Sequence, residues 1–197
     1  MKKTVLLSLL AAALPFVVGG CASAHYVQTG GRESVVTVGQ INIQDYIQAA
    51  NAATSDLLQS GTLDKVPTPP AVLAISRIIN NTGQQIDTDL LTKKIRVALL
   101  NSGKAQTTTT LGLGGTAEDP MAKGLQQENE FANDQKATRK PDFTLSGKII
   151  ETTAKSGNTS QSTYSFQLSL TDAKTGLAVW EGEKEITKQG TRSSVGF

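Results

Sequence analysis

Residues 164–170 read YSFQLSL, and the strict alternation of apolar and polar side chains along them decides the fold class. A period of two residues is typical of a β-strand with one buried and one solvated face. Residues 143–149, FTLSGKI, alternate in the same way, and residues 172–176, DAKTG, form a turn pattern that ends in glycine. A third strand is predicted over residues 177–186, carrying Trp180. The pattern predicts an antiparallel sheet of three strands, with the alternating apolar residues and the tryptophan in the core.

Two helices and a strand are predicted before this sheet. Residues 43–60 carry apolar side chains at three- and four-residue steps after Asn42, a good N-cap, and Gly61 is a natural stop. Residues 71–79, AVLAISRII, are almost continuously apolar, as expected of a strand covered on both faces. Residues 89–101 repeat the helical period. The predicted buried stripe of this second helix is Leu91, Ile95, Ala98 and Leu99, and its opposite side carries Lys93, Lys94 and Arg96.

The segments between the second helix and the sheet have weaker patterns. Residues 104–110 are rich in threonine and predict a strand, and residues 111–118, LGLGGTAE, predict a loop. Residues 119–138 predict a helix with sparse apolar anchors at Met121, Leu125 and Phe131. The chain therefore predicts an α+β fold, in which a small, mostly antiparallel sheet packs with helices in a single sandwich.

The N-terminus has the three parts of a secretory signal peptide. Lys2 and Lys3 supply positive charge, residues 4–18 are uncharged and mostly apolar, and Gly19 and Gly20 precede Cys21, the only cysteine. The apolar run is shorter than the ~20 residues that a membrane-spanning helix needs. We expect Cys21 to become the first residue of the mature chain and to carry a lipid. The alternative is an ordinary signal peptide followed by a free thiol.

Three regions follow from this cleavage site. Residues 1–20 are the signal peptide, residues 21–40 are a flexible tether, and residues 41–197 form a single periplasmic domain. The tether is polar and contains glycine, without a helical period, so it is expected to be disordered or locally extended. Within it, Val35–Val38 could pair as a short edge strand.

Charge and histidine content argue against several classes of function. Lys2 and Lys3 are two of the 19 Lys and Arg, so 17 remain in the mature chain against 17 Asp and Glu, and they are not clustered as a nucleic-acid footprint requires. His25, the only histidine, lies in the tether and cannot be held against a catalytic partner. Gly112–Gly115 lacks the Gly-Lys-Ser or Gly-Lys-Thr that a phosphate-binding loop needs. We expect no catalytic residue, cofactor, metal or small-molecule substrate.

Several ordered stretches of this chain resemble the LpoB-type lipoproteins. They cover roughly residues 41–190, together with the Val-Gly-Gly-Cys sequence that resembles a lipobox. The matching stretches are residues 76–82, SRIINNT; residues 87–92, DTDLLT; residues 141–149, PDFTLSGKI; and residues 168–172, LSLTD, running through 175–177, TGL, to 179–182, VWEG. The fold implied by this resemblance is that of the N-terminal domain of TolB.

The resemblance also implies a function. LpoB-type proteins are outer-membrane lipoproteins that face the periplasm; they are not enzymes but bind and activate a class A penicillin-binding protein, a bifunctional peptidoglycan synthase. The expected partners are therefore such a synthase and the outer membrane, through the lipid on Cys21. Ala22 agrees with this, since sorting rules imply that aspartate at that position would hold a lipoprotein at the inner membrane. One departure is the tether, which is long and Pro-rich in the best-known members and only about 20 residues here.

The partner surface is expected at exposed polar turns on the rigid sheet. The candidate interface residues are Arg77, Asn80, Asn81, Gln84 and the hairpin residue Gly176. Alternatively, Asn80, Asn81 and Gly83 only form the turn, for which neither Arg77 nor Gln84 is needed. The alternative function is a subunit or accessory lipoprotein of a curli-secretion-type outer-membrane complex.

Overall fold

The computed structural model describes residues 24–110, 119–132 and 139–191. The predicted order of helices and strands is confirmed, and the second helix has the predicted bounds. A short 3-10 turn, Thr62–Lys65, follows the first helix. The helices and strands are α1 Ile43–Gln59, β1 Ala71–Asn81, α2 Asp89–Asn101, β2 Ala105–Thr107, α3 Pro120–Phe131, β3 Phe143–Ser156, β4 Thr159–Asp172 and β5 Ala178–Thr191.

The five strands form one mixed sheet in the order β2-β1-β3-β4-β5. β1 is parallel to both of its neighbours, whereas β3, β4 and β5 form the predicted antiparallel hairpins. Each of these last three strands has 14 residues and is longer than predicted. β1 lies between β2 and β3. Its pairing register with β3 shifts between Ile75 and Ile78, which marks an irregularity in the strand.

One face of the sheet packs against α1 and α2 to form the core. All four apolar residues of the 164–170 stretch are buried, as predicted, and so is Trp180. Tyr46 of α1 meets Phe166 edge to face, with ring centroids 6.3 Å apart. Trp180 Nε1 donates a hydrogen bond of 2.9 Å to Asp56 Oδ2 of α1. The indole ring also explains Gly182, since a Cβ there would lie 2.4 Å from the ring.

The expectation that β1 is covered on both faces is wrong for its second half. Ala71 to Ala74 are buried, but Arg77 and Ile79 are exposed. Both helices that bury the sheet pack on the inner face, where Ile78 lies, and so the outward side chains near the end of β1 remain in solvent. A continuous apolar run is compatible with either arrangement.

The helices also differ from prediction in which side chains they bury. Arg96, expected on the solvent side of α2, is only 9% exposed. The predicted anchors of the third helix are wrong, because Met121, Leu125 and Phe131 are 78%, 57% and 91% exposed. No residue of α3 is buried, so this helix has no buried apolar face. At its start, Asp119 Oδ1 accepts the backbone N–H of Ala122 at 2.9 Å.

The last residues of the predicted tether pack on the domain. No strand forms over Val35–Val38. Instead the Val38 side chain lies against β5, where a Cβ added at Gly190 would come within 2.6 Å of it. The Val38 carbonyl accepts a hydrogen bond of 3.4 Å from the Tyr164 hydroxyl. The chain is therefore held to the sheet before α1 begins.

Candidate functional site

The predicted interface residues do not come together in the structure. Asn80 pairs with Ile149 in β3, whereas the turn that contains Gly176 follows the other end of the sheet, where Leu73 pairs with Phe143 and Phe143 with Asp172. Six residues of β3 separate these two rows, a distance of about 20 Å at 3.3 Å per residue. Arg77, Asn80, Asn81 and Gln84 thus lie toward one end of the sheet, and Gly176 lies at the other.

Asn80 is occupied in forming the turn after β1. Its Oδ1 accepts the backbone N–H of Thr82 at 3.0 Å and the Thr82 hydroxyl at 2.7 Å. Its Nδ2 donates to the carbonyl of Gln84 at 2.7 Å. These bonds close an Asx-type turn, in which the side chain replaces backbone partners. Asn80 therefore has a complete structural explanation.

Gln84 connects three parts of the fold and is not a free surface group. Its Oε1 accepts the backbone N–H of Ile41 at 2.9 Å. Its Nε2 donates to the Tyr164 hydroxyl at 2.9 Å and to Glu151 at 3.3 Å. Burial raises the pKa of Tyr164, although the hydrogen bond from Gln84 opposes that shift. The Gln84 side chain ties the start of α1 to the sheet, so its replacement would disturb structure as well as any interface.

Arg77, Ile79 and Asn81 are exposed on β1 in this region. Ile79 is 59% exposed, and Arg77 makes no hydrogen bond or ion pair with any residue that the structure describes. Two open grooves meet at this pair. One, of about 760 Å³, runs along the β1–α2 loop past Asp87 and Asp89. The other, of about 660 Å³, crosses the outer face of the sheet to Glu181 and Glu183.

Glu181, Glu183 and Glu185 alternate along β5, and all three are exposed. Glu183 accepts hydrogen bonds from the Ser165 hydroxyl and, at 2.7 Å, from Gln167 Nε2. These two bonds lower the pKa of Glu183, with a smaller contribution from Lys148. The sequence pattern places the carboxylates on one side of the strand. Their hydrogen bonds to side chains of β4 are shown only by the structure.

Gly176 has a local reason for its identity. Its φ is +71°, a left-handed conformation that strongly favours glycine. In the same turn Asp172 Oδ1 accepts the backbone N–H groups of Lys174 and Thr175, each at 2.8 Å. These bonds lower the pKa of Asp172. The turn is a well-formed element at the end of the sheet away from Arg77.

The remaining predicted features give the following picture. Cys21 and Gly112–Gly115 lie outside the described residues. His25 is exposed, with Nε2 4.0 Å from a Glu33 carboxylate oxygen. Within residues 24–110, 119–132 and 139–191, no cluster of three or more His, Cys, Asp or Glu could hold a metal ion. In the same part of the chain, no helix combines the length and apolarity needed to cross a membrane.

The described residues thus form a two-layer α+β structure whose outer sheet face is largely exposed from the second half of β1 to β5. The family model described as peptidoglycan-synthase activator LpoB matches residues 45–186. The match covers more than half of the chain and spans the two layers from α1 to β5. The chain belongs to the LpoB family. It therefore belongs to a family of activators of peptidoglycan synthesis rather than to a family of enzymes.

Solved structures give weaker similarities. The C-terminal domain of LpoB from Salmonella enterica is 20% identical, with a TM-score of 0.44, over 72% of this chain and 98% of that chain. The corresponding Escherichia coli domain is 16% identical, with the same TM-score and coverage. Lipoprotein GNA1162 from Neisseria meningitidis is 17% identical, with a TM-score of 0.40, over 63% of this chain and 88% of that chain. No curated protein sequence matches the chain significantly. The family assignment therefore rests on the family model.

Proposed function

We propose that this protein is a periplasmic lipoprotein that binds a class A penicillin-binding protein and raises its rate of peptidoglycan synthesis, with no turnover of its own. The observation that carries this proposal is the match of residues 45–186 to the synthase-activator family. The site agrees with a binding role, because its exposed residues, Arg77 and Ile79, lie on a rigid sheet between two open grooves.

The proposed anchor is a lipid on Cys21 in the outer membrane, supported by the signal-peptide pattern and by Ala22. Mass spectrometry of protein extracted from membranes should find acylated Cys21 at the N-terminus. A mature chain with a free thiol would contradict lipidation. Membrane fractionation should recover the protein with the outer membrane, and recovery with the inner membrane would contradict the location.

The anchor would limit where the partner is met. The 18 residues from Cys21 to Val38 can span at most roughly 60 Å when fully extended. Val38 is held against β5, so the folded domain begins within that distance of the lipid. The synthase would have to present its docking surface inside this range.

The proposed interface includes Arg77 and Asn81, which are exposed. Asn80 and Gln84 support the same surface through the turn and through Ile41. Gly176 is a separate proposal, because its turn lies about 20 Å away along the strands. Arg77→Ala is the informative variant, since no described residue depends on that side chain.

The decisive test is a glycan-polymerisation assay with each purified class A synthase of the source organism. The purified protein, lacking only its lipid, should raise the rate of one synthase and should release no product from cell wall when incubated alone. Unchanged rates for every synthase at saturating protein would contradict the proposal. Recovery instead with an outer-membrane secretion complex would favour the alternative function.

A further inference from the structure

In the described part of the chain, the outer face of the sheet is largely open to solvent from the second half of β1 to β5. α1 and α2 both contact the opposite face, and the outward side chains of the central rows are exposed on β1, β3 and β5. Most of these residues are polar, as water contact requires. Ile79, near the middle of the face, is a large apolar side chain that is 59% exposed. A large apolar side chain among polar ones is a common anchor of a protein interface.

The charges on this face are separated into two halves. One row of the sheet reads Ile79, Lys148, Gln167 and Glu183 across four strands, and the adjacent row ends in Glu181. Arg77 lies beside Ile79 on β1. Neighbouring strands are about 4.8 Å apart, so the backbones of Lys148 and the β5 glutamates lie roughly 10 Å apart. The Lys148 charge still contributes to the lowered pKa of Glu183. The face therefore has a basic half on β1 and β3 and an acidic half on β5.

The two halves differ in how they are held. The Glu183 carboxylate is fixed by Ser165 and Gln167, and the Ser169 hydroxyl lies 3.4 Å from Glu181 Oε1. Arg77 and Lys148 make no hydrogen bond or ion pair with residues in the described ranges. The acidic half is thus preorganised, whereas the basic half keeps its donors for an external acceptor. Preorganised charge reduces the entropy lost on binding.

A second copy of this chain would also find complementary charges, since a two-fold axis along the strands would place each basic half on an acidic half. The composition argues against a stable dimer, because homodimer interfaces are more apolar than this face of Ser, Gln, Lys and Glu side chains. A polar, charged surface with one apolar anchor fits a transient partner better.

We infer that the outer face of the sheet is the surface that docks on the synthase, and that it fits a partner segment with a carboxylate opposite Arg77 and Lys148 and basic side chains opposite Glu181 and Glu183. This inference rests on the proposed function. Ile79 fills an apolar recess in that segment. The charges set orientation and association rate, and Ile79 supplies the buried contact.

The test uses the purified protein and the full-length synthase that it activates, with binding measured at several salt concentrations. Reversing the basic half, Arg77→Glu with Lys148→Glu, should weaken binding roughly tenfold or more, and so should Ile79→Ser. Glu181→Gln with Glu183→Gln should also weaken binding and reduce its salt dependence. The amide keeps the size of the side chain and can still accept from Ser165, so the sheet should stay folded.

The matched control is Lys65→Glu with Lys155→Glu, which changes the net charge by the same amount on two exposed lysines outside the proposed surfaces. It should bind and activate as the unaltered protein does. A loss in this control equal to that of the face variants would overturn the inference. All variants should keep their melting temperature within a few degrees, which separates lost contacts from lost folding.

Three further outcomes are decisive. Normal activation by every face variant would overturn the inference and leave the proposed function intact. Failure of the unaltered protein to bind any synthase would instead contradict the proposed function. Light scattering that shows a dimer dissociated by the face variants would assign the face to self-association and overturn the inference.

Discussion

Lys188 Nζ lies 2.6 Å from Oδ2 of Asp45, and the two side chains are only 7% and 5% exposed. The same ammonium group donates to Asn42 Oδ1 at 2.8 Å and to the carbonyl of Gln40, and it stands 5.2 Å from the centre of the Tyr164 ring. Asp45 Oδ2 also accepts the backbone N–H of Asn42 at 2.7 Å. This buried pair joins the first turn of α1 to the end of β5.

Removing one member of this pair should leave the other charge buried without its partner. We expect Asp45→Asn to lower the free energy of unfolding by about 3–5 kcal/mol. Urea unfolding followed by circular dichroism measures the change. The control is Asp64→Asn, which removes the ion pair between Lys104 Nζ and Asp64 Oδ2. This pair has a similar length, 2.7 Å, but its side chains are 45% and 53% exposed, respectively. That change should cost less than about 1 kcal/mol. Equal losses in the two variants would contradict the structural role given to Lys188 and Asp45.

Gly182→Ala should strain the contact with Trp180, because the new Cβ would lie 2.4 Å from the indole ring. Overpacking of this kind costs about 1–3 kcal/mol. Trp180 is the only tryptophan, so its fluorescence reports both unfolding and any shift of the ring from Asp56. Gly124→Ala is the control, since nothing lies within 4 Å of a Cβ there. A neutral Gly182→Ala with an unchanged spectrum would show that the ring does not cover this position.

Truncation of two helical leucines should change the free energy of unfolding by very different amounts. Leu99 of α2 is fully buried, so Leu99→Ala should cost about 2–5 kcal/mol. Leu125 of α3 is 57% exposed, and Leu125→Ala should change stability by less than about 0.5 kcal/mol. Thermal and urea unfolding of both variants provide the comparison. A large loss at Leu125 would mean that α3 does pack on the domain.

Alkaline pH should destabilise the domain through Tyr46. Burial raises the pKa of its phenol above 10.0, and Asp87 and Asp45 add to the shift. Because the folded state favours the neutral phenol, the resulting stability is fully present below pH 10 and is lost as pH rises through the folded-state pKa. Tyr46→Phe keeps the ring and removes this titration. The difference in urea midpoint between the two proteins, measured from pH 8 to 11, should change above pH 10. A constant difference would contradict the assignment.

Local periodicity in the chain was enough to predict several elements. α2 has its predicted bounds, because a stripe of Leu91, Ile95 and Leu99 is a pattern that only a helix places on one face. The alternation in residues 164–170 predicted which face of β4 is buried, since successive side chains of a strand point to opposite sides. Gly61 and Gly176 were likewise recognisable from their turns.

Periodicity could not predict which surfaces the helices would cover. The outer side of β1 and the apolar residues of α3 were both expected to be buried, yet Ile79 and Leu125 are exposed. Burial depends on which helices and strands pack against a side chain. A run of apolar residues in the sequence does not indicate where those elements lie. Arg77 and Ile79 are exposed because α1 and α2 both pack on the inner face of the sheet, an arrangement that only the tertiary structure shows.

Long-range polar contacts were also decided by the tertiary structure alone. Asp45 is acidic in the first turn of α1, where the helix dipole favours negative charge, but its partner Lys188 lies 143 positions away in the chain. Gln84 reads as a loop residue, although it joins Ile41 to Tyr164. Side chains separated by such distances meet only through the packing of the sheet on α1. Local sequence determines the helices and strands, whereas buried charges and open faces depend on how those elements are brought together.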